Sequence, residues 1–329
     1  MRTNEKFKTS IGGQALIEGI MMRGPKKDAI VVRSKDGLKV EVSDRKFRSK
    51  KNPLTWPFIR GAINFFDSQV LGTKAIMRSA DLSPDENAEP EKQSKFDAWL
   101  EKKLGSAAFQ KAVIGIAVAL GLLMSIGLFF LIPMLVSSFF DELIPNVFLL
   151  HLLEGGVRIV ILIGYMYLAS RMSEMKRVFA YHGAEHKTIR CYEAGLELTV
   201  ENVRKQTRKH PRCGTSFLLV VVVLSILVFS AASSLLLELA PGLAAMKGSF
   251  LYKLIMILFK LLLLPLVVCV TYEINRFLGR HDNWFTRILM APGLWLQNIT
   301  TNEPDDSMIE VGIEALKAVL PETEGEDKW

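Results

Sequence analysis

The chain has 329 residues, half of them hydrophobic, and 41 Lys and Arg against 34 Asp and Glu leave a net charge of +7. A mean hydropathy of +0.24, with the apolar residues gathered in long runs, argues against a soluble globular protein; the charge excess points first to the positive flanks of membrane spans and only second to nucleic acid. Three cysteines make no disulfide framework, and the polar start MRTNEKFKTS lacks the apolar core of a cleavable signal peptide.

Residues 10–42 read as short strands. Ala29-Ile30-Val31-Val32-Arg33 and Leu38-Lys39-Val40-Glu41-Val42 flank Lys35-Asp36-Gly37, a hairpin turn signal. Gly12, Gly13, Gly19 and Gly24 punctuate the stretch before it, and Glu18 among them is an edge carboxylate or a third metal ligand. The basic run 45–51 reads as a solvated surface facing anionic lipid. Over 57–78 the pattern becomes helical, with Arg60, Asp67, Lys74 and Arg78 near one face and Ile59, Ile63, Phe66 and Val70 near the other. Such a helix lies on a membrane or packs on a cytosolic domain. Residues 79–97 are acidic, contain proline and read as a linker.

Four spans are expected, at 112–140, 147–172, 217–237 and 250–272, each near or above the roughly 20 residues that cross the hydrocarbon. Pro133 marks a kink in the first. The second carries His151, Glu154 and Arg158, and the fourth Lys253 and Lys260. A lone charge deep in the bilayer costs at least about 2.5–3.5 kcal/mol. Glu154 and Arg158, one turn apart, are therefore expected to pair, and Lys260 to point at Glu154 from a neighbouring span. Asp141-Glu142 separates the first two spans without Lys or Arg, and 238–249 has only Lys247, whereas 171–212 carries ten basic residues including Lys187, Arg204 and Arg212. The positive-inside rule thus places that central loop and both termini in the cytosol. Beyond the spans, 282–298 has Trp284, Phe285 and Trp295 and suits an interfacial segment. Residues 306–320 read as a short strand, Met308-Ile309-Glu310-Val311, then an amphipathic helix, and Pro321 with the acidic tail 322–329 ends the ordered part.

The central stretch 181–217 holds three of the five histidines and two of the three cysteines. It opens on His182-Gly183-Ala184-Glu185-His186. On a helix, the two histidines lie one turn apart on one face with Glu185 beside them, an arrangement that offers a metal two imidazoles and a carboxylate for water activation. The second-span helix is expected to continue through Ser173 and Lys176 to Tyr181. Gly183 either allows close approach to the histidines or marks a bend. His210 and Cys213 are further candidate ligands, and Glu193 or Glu273 would complete the set. Glu185 would be the general base. Arg212 and the helix N-terminus after Cys213 favour a thiolate. The plain alternatives are that the histidines hydrogen-bond within the folded domain, and that Pro211 and a Thr215 or Ser216 cap simply start the next helix. Cys269 reads as a membrane-core residue.

Several blocks recur as a set: Gly12-Gly13-Gln14-Ala15, Ile17-Glu18-Gly19, Met22-Arg23-Gly24-Pro25, HGAEHK, His210-Pro211-Arg212-Cys213-Gly214-Thr215, Pro292-Gly293-Leu294-Trp295-Leu296-Gln297, Thr300-Thr301-Asn302-Glu303-Pro304 and Ile309-Glu310-Val311. Across nearly the whole chain they resemble the YqhQ-like family of bacterial membrane proteins, described as candidate metal-dependent enzymes of unknown function. The expected fold is a polytopic α-helical membrane protein with a cytosolic α+β cap. Its parts are cytosolic strands and an amphipathic helix (1–78), a linker and entry helix (79–111), spans one and two (112–172), the central loop (173–216), spans three and four (217–272) and an interfacial and cytosolic end (273–329). The resemblance places the protein in a bacterial inner membrane. The expected function is metal-dependent hydrolysis at the membrane face with a divalent metal, zinc first. The rivals are an accessory factor docking the ribosome or the insertion machinery, and a small transporter. The bilayer, and a second copy of the chain, are the other expected partners. No Walker loop, dinucleotide motif or Gly-x-Ser-x-Gly is present.

Overall fold

Alternation in the first 44 residues does build strands. The structure, a computed structural model, describes residues 7–45, 52–83, 106–281, 283–323 and 325–328. The basic run at 46–51 and linker residues 84–105 lie outside the described residues. The chain divides into two compact units: Met1–Pro84, Ile163–Ser225 and Leu263–Trp329 form one, Asp85–Leu162 and Ile226–Leu262 the other.

In the first unit β1 (Gly12–Leu16), β2 (Gly19–Arg23), β3 (Lys27–Ser34) and β4 (Gly37–Asp44) form an antiparallel meander in chain order. Two-residue turns close it where Leu16 pairs Gly19 and Ser34 pairs Gly37. Gly37 adopts φ 114°, a conformation open to glycine and strained for other residues. One sheet face, through Ile20, Met22, Ala29 and Val31, is buried against two helices, α5 (Ser173–Glu193) and the C-terminal α9 (Asp306–Lys317). The other face, through Leu16 and Met21, meets Ala75 of α1 (Ile59–Leu82). What α1 buries is a stripe of small residues, Gly61, Gly72, Ala75 and Ser79, so its large apolar residues Ile59, Phe66 and Val70 stay exposed. The same division holds in α8 (Trp284–Thr300), which buries Gly293, Leu296 and Gln297 while Trp284, Phe285, Ile288 and Trp295 face outward.

Three expectations are corrected here. Residues 308–311 are helical: the Asp305 carboxylate accepts from the Met308 N–H at 3.0 Å as an N-cap, and burial at 308, 309, 311, 312, 315 and 316 follows the helical period. Four residues of mixed polarity are too few for period 2 to be told from 3.6. The second span does not run on to Tyr181. It ends at Ala169, Met172 takes an extended conformation at ψ 140°, and α5 starts afresh at Ser173. Nor does order end at Pro321: Thr9 Oγ1 donates to a buried Asp327 carboxylate at 2.5 Å, and Thr9 bridges Lys328.

Among the described residues four helices are long and apolar enough to cross a membrane: Gly115–Ser138, Val147–Ala169 (α4), Gly214–Leu239 (α6) and Phe250–Arg280 (α7). The first comprises α2 (Ser106–Ile126), a π-turn at Gly127–Leu131 and α3 (Ile132–Ser138). Pro133 has no N–H for the carbonyl four residues back. That carbonyl, of Phe129, instead accepts from Arg158 Nε at 2.8 Å, and the Arg158 guanidinium lies 5.3 Å and 5.6 Å from the Phe130 and Phe229 ring centroids. In the second unit Lys260 Nζ meets both oxygens of Glu154, at 2.7 and 2.6 Å, and Arg158 Nη2 meets one at 3.0 Å. The second and fourth spans are thus neighbours here. His151 joins them, its Nδ1 3.2 Å from Glu154, a partner that its sequence neighbours did not single out.

Candidate metal centre

Helix α5 carries His182, Glu185 and His186 on one face because they recur at helical spacing. It is unbroken at Gly183, so the glycine marks no bend. A Cβ there would collide with the Asn302 carbonyl, so Gly183 lets the 302–304 segment, not the histidines, come close. That approach fixes the first ligand: His182 Nδ1 donates to the Thr300 carbonyl at 2.9 Å. His186 Nδ1 likewise donates to the Arg208 carbonyl at 2.6 Å. A carbonyl only accepts, so Nδ1 carries a proton on both rings and Nε2 is the atom left for a ligand on each, once His182 gives up the proton its Nε2 shares with Cys213.

Cys213 completes a trio, with one donor atom from each of His182, His186 and Cys213 lying within 4.8 Å of one another. Its Sγ is 3.2 Å from His182 Nε2. The same Sγ accepts from the Thr215 N–H at 3.4 Å, so the cysteine itself caps α6 and Thr215 and Ser216 do not. Burial pushes the thiol up, but His182 and His186 outweigh it and hold Cys213 well below the ordinary range. Burial also opposes a charged His182, yet the thiolate and Glu185 raise it to about 9. Arg212 is not the cause, because its guanidinium pairs with Glu193.

Glu185 is buried beside the trio. Its carboxyl group lies against Gly13 of β1, its Oε2 has no partner among the described residues, and burial holds its pKa above the usual carboxylate value. Gly13 has to be glycine, since a Cβ would lie 2.6 Å from the Met21 carbonyl and 3.1 Å from the Glu185 carboxyl carbon.

The remaining candidates have other partners. His210 stands behind His186, ring centroids 5.5 Å apart, outside the trio. Its Nε2 faces Glu193 at 3.4 Å, and burial followed by Arg212 drives its pKa well below the ordinary value. Glu193, fully buried, also holds the Thr9 N–H at 2.9 Å. Glu273 pairs with Arg60 at 2.7 and 2.5 Å, and Glu18 with Arg177 and the Tyr181 hydroxyl. Cys269 is buried in α7, with its backbone against Gly61. Sequence reasoning missed Thr300 and Arg208, which act through carbonyls that any residue carries. It also missed Gln297, whose side chain clasps both the N–H and the carbonyl of His210 at 2.8 Å.

The trio opens on a cavity of about 400 Å³ bounded by Ser10–Ala15, one face of α5 and His210–Thr215. Two imidazoles braced by carbonyls, a thiolate and a carboxylate oxygen without a partner fit a zinc ion with three protein ligands and an open position.

The family of proteins of unknown function DUF1385 matches residues 56–322. An uncharacterized protein of Bacillus subtilis (strain 168), YqhQ, is 33% identical over 331 residues, spanning 97% of this chain and 94% of its own. No solved structure matches. The match over most of the chain means that it belongs to the DUF1385 family.

Proposed function

We propose that this protein is a zinc-dependent hydrolase of the bacterial cell membrane, with His182, His186 and Cys213 as ligands and Glu185 as general base. The observation that carries the reading is the pair of Nδ1–H bonds to carbonyls, which leaves both Nε2 atoms and a thiolate convergent beside an otherwise unpartnered carboxylate oxygen. Zinc at such a site supplies a Lewis acid that polarises a carbonyl or phosphoryl oxygen and acidifies water. Glu185 then takes the proton of the attacking water and returns it to the leaving group, a role favoured by its raised pKa. His210, Glu193 and Gln297 hold the Cys213 segment in place. The positive-inside pattern supports a cytosolic site with both termini on the same side.

Elemental analysis of the purified protein tests the reading. We expect one zinc per chain, lost in Cys213→Ser and His186→Ala and retained in Glu185→Gln. Cobalt substitution should give a thiolate charge-transfer band that Cys213→Ser abolishes. A protein without zinc sinks the hydrolase and leaves the docking factor, for which the basic loop speaks. For orientation, a cysteine at Asn146 should react with an impermeant thiol reagent from outside the cell and one at Gln206 should not; the reverse pattern would invert the site.

A further inference from the structure

We infer that the groove beside the trio takes an extended polypeptide, laid along the free edge of β1 so that one of its peptide bonds meets His182, His186 and Cys213. This rests on the zinc reading above and names the substrate class.

Strand β1 ends the sheet order, so its outer edge has no partner strand among the described residues. With Leu16 and Gly19 closing the turn, Leu16, Gln14 and Gly12 exchange hydrogen bonds with β2, and Gly13 and Ala15 turn their N–H and C=O groups outward. Their neighbours on that edge follow the alternation: the Ile11 N–H donates to Thr9 Oγ1 at 3.1 Å and the Ile17 N–H to Ser79 Oγ at 3.2 Å, while the Glu185 carboxyl group lies against Gly13. The Ala15 N–H and the Gly13 and Ala15 carbonyls thus border the cavity as a ready main-chain template.

The cavity's shape agrees. One wall is Ser10–Ala15, about 16 Å of strand, and the other runs from Val178 through His182 and Glu185 to Ile189, about 16 Å of helix. These two walls of similar length flank a slot, and Ile11, Val178 and Ile189 give it apolar sides for alternate side chains. Gly12 is the second sign. A Cβ there would meet nothing within 4 Å, so packing does not demand glycine at this first residue of β1, and its bare backbone leaves room for another chain to come close. The third is the Glu185 carboxyl group, which lies against Gly13 of that edge and has one oxygen without a partner among the described residues. A peptide carbonyl held by that edge arrives next to it.

The step balances as a hydrolysis. Water oxygen bonds to the peptide carbonyl carbon, the C–N bond breaks, and Glu185 carries one water proton to the leaving amine. The other proton leaves as the new carboxyl ionises.

The test uses the full-length protein carrying Glu185→Gln, loaded with zinc, and fluorescein-labelled β-casein peptides read by anisotropy. Ala15→Pro removes only an outward N–H, and Gly12→Val fills open space. Neither touches a ligand, so both should keep their zinc and thermal midpoint while binding the peptides about tenfold more weakly. The parent with Glu185 intact should cleave the same peptides, and phosphatidylglycerol–phosphatidylethanolamine vesicles should be neither hydrolysed nor competitive. Undiminished binding in both variants, no binding at all to the zinc-loaded protein, or hydrolysis of the vesicles in place of the peptides would overturn the inference. Absence of zinc from the wild-type protein would overturn the hydrolase reading instead, and elemental analysis separates the two failures.

Discussion

Glu154, in the unit of long apolar helices, accepts from Lys260, Arg158 and His151 together. Glu185 in the other unit lies against Gly13 and leaves its Oε2 on nothing among the described residues. Both carboxylates are buried, where a charge persists only if it is paired or solvated. The first cluster is closed upon itself: even the carbonyl orphaned by Pro133 is taken by Arg158, and only His151 Nε2 is left over. Such closure is what a register-fixing ion pair requires. The second cluster spends its backbone contacts on orienting two imidazoles and leaves their other nitrogens and a thiolate at a cavity that Glu185 also lines. Groups already satisfied hold a fold together, whereas groups oriented and left open have work to do on a ligand.

The comparison predicts opposite responses to substitution. The largest effect belongs to the closed cluster. Lys260→Met or Glu154→Gln alone should cost about 3–5 kcal/mol by stranding the partner in a dry interior, seen as loss of folded yield in detergent. The double variant should recover part of it. Strictly additive losses would show that the two residues do not act as a pair.

At the open site, strain should be smaller and should register in metal binding. Gly183→Ala drives a Cβ into the Asn302 carbonyl, whose own N–H is bonded to Phe179 O at 2.8 Å. We expect about 1–3 kcal/mol of lost stability in thermal unfolding. Zinc affinity should also fall roughly tenfold or more, because the displaced segment carries the carbonyl that braces His182. Unchanged affinity would mean that Thr300 does not orient the ring.

The smallest effect sharpens the contrast among the cysteines. Burial alone raises the Cys191 thiol to about 11, opposite in direction to Cys213, and Cys269 lies in a span. Cys191→Ala and Cys269→Ala should therefore leave zinc stoichiometry unchanged by elemental analysis. A loss in either would place a ligand outside the trio.

Much of the architecture was legible from sequence because it rests on local periodicity. Apolar runs near 20 residues, the alternation on either side of Lys35-Asp36, and one-turn spacing of His182 and His186 are each contained in a single element. Errors arose where two elements had to be weighed against each other. Met308-Ile309-Glu310-Val311 reads as a strand until the Asp305 cap and the sheet beneath it are seen. Whether α1 lies on a membrane or packs on the domain stays open in its periodicity; only the fold shows Gly72 and Ala75 against the sheet and Gly61 against α7.

By itself, then, the sequence determined the spans, the sheet, the pair of histidines and the carboxylate between them, since each depends on residues close together in the chain. Tertiary structure alone decided which distant groups join them. It brought Cys213 into the trio and sent His210 to Glu193; it turned Glu273 and Glu18 to arginines, and set Gly13 of the strand edge against Glu185. Those choices hang on carbonyl directions and on contacts a glycine permits, and neither leaves a chemical signature in the residues that supply them.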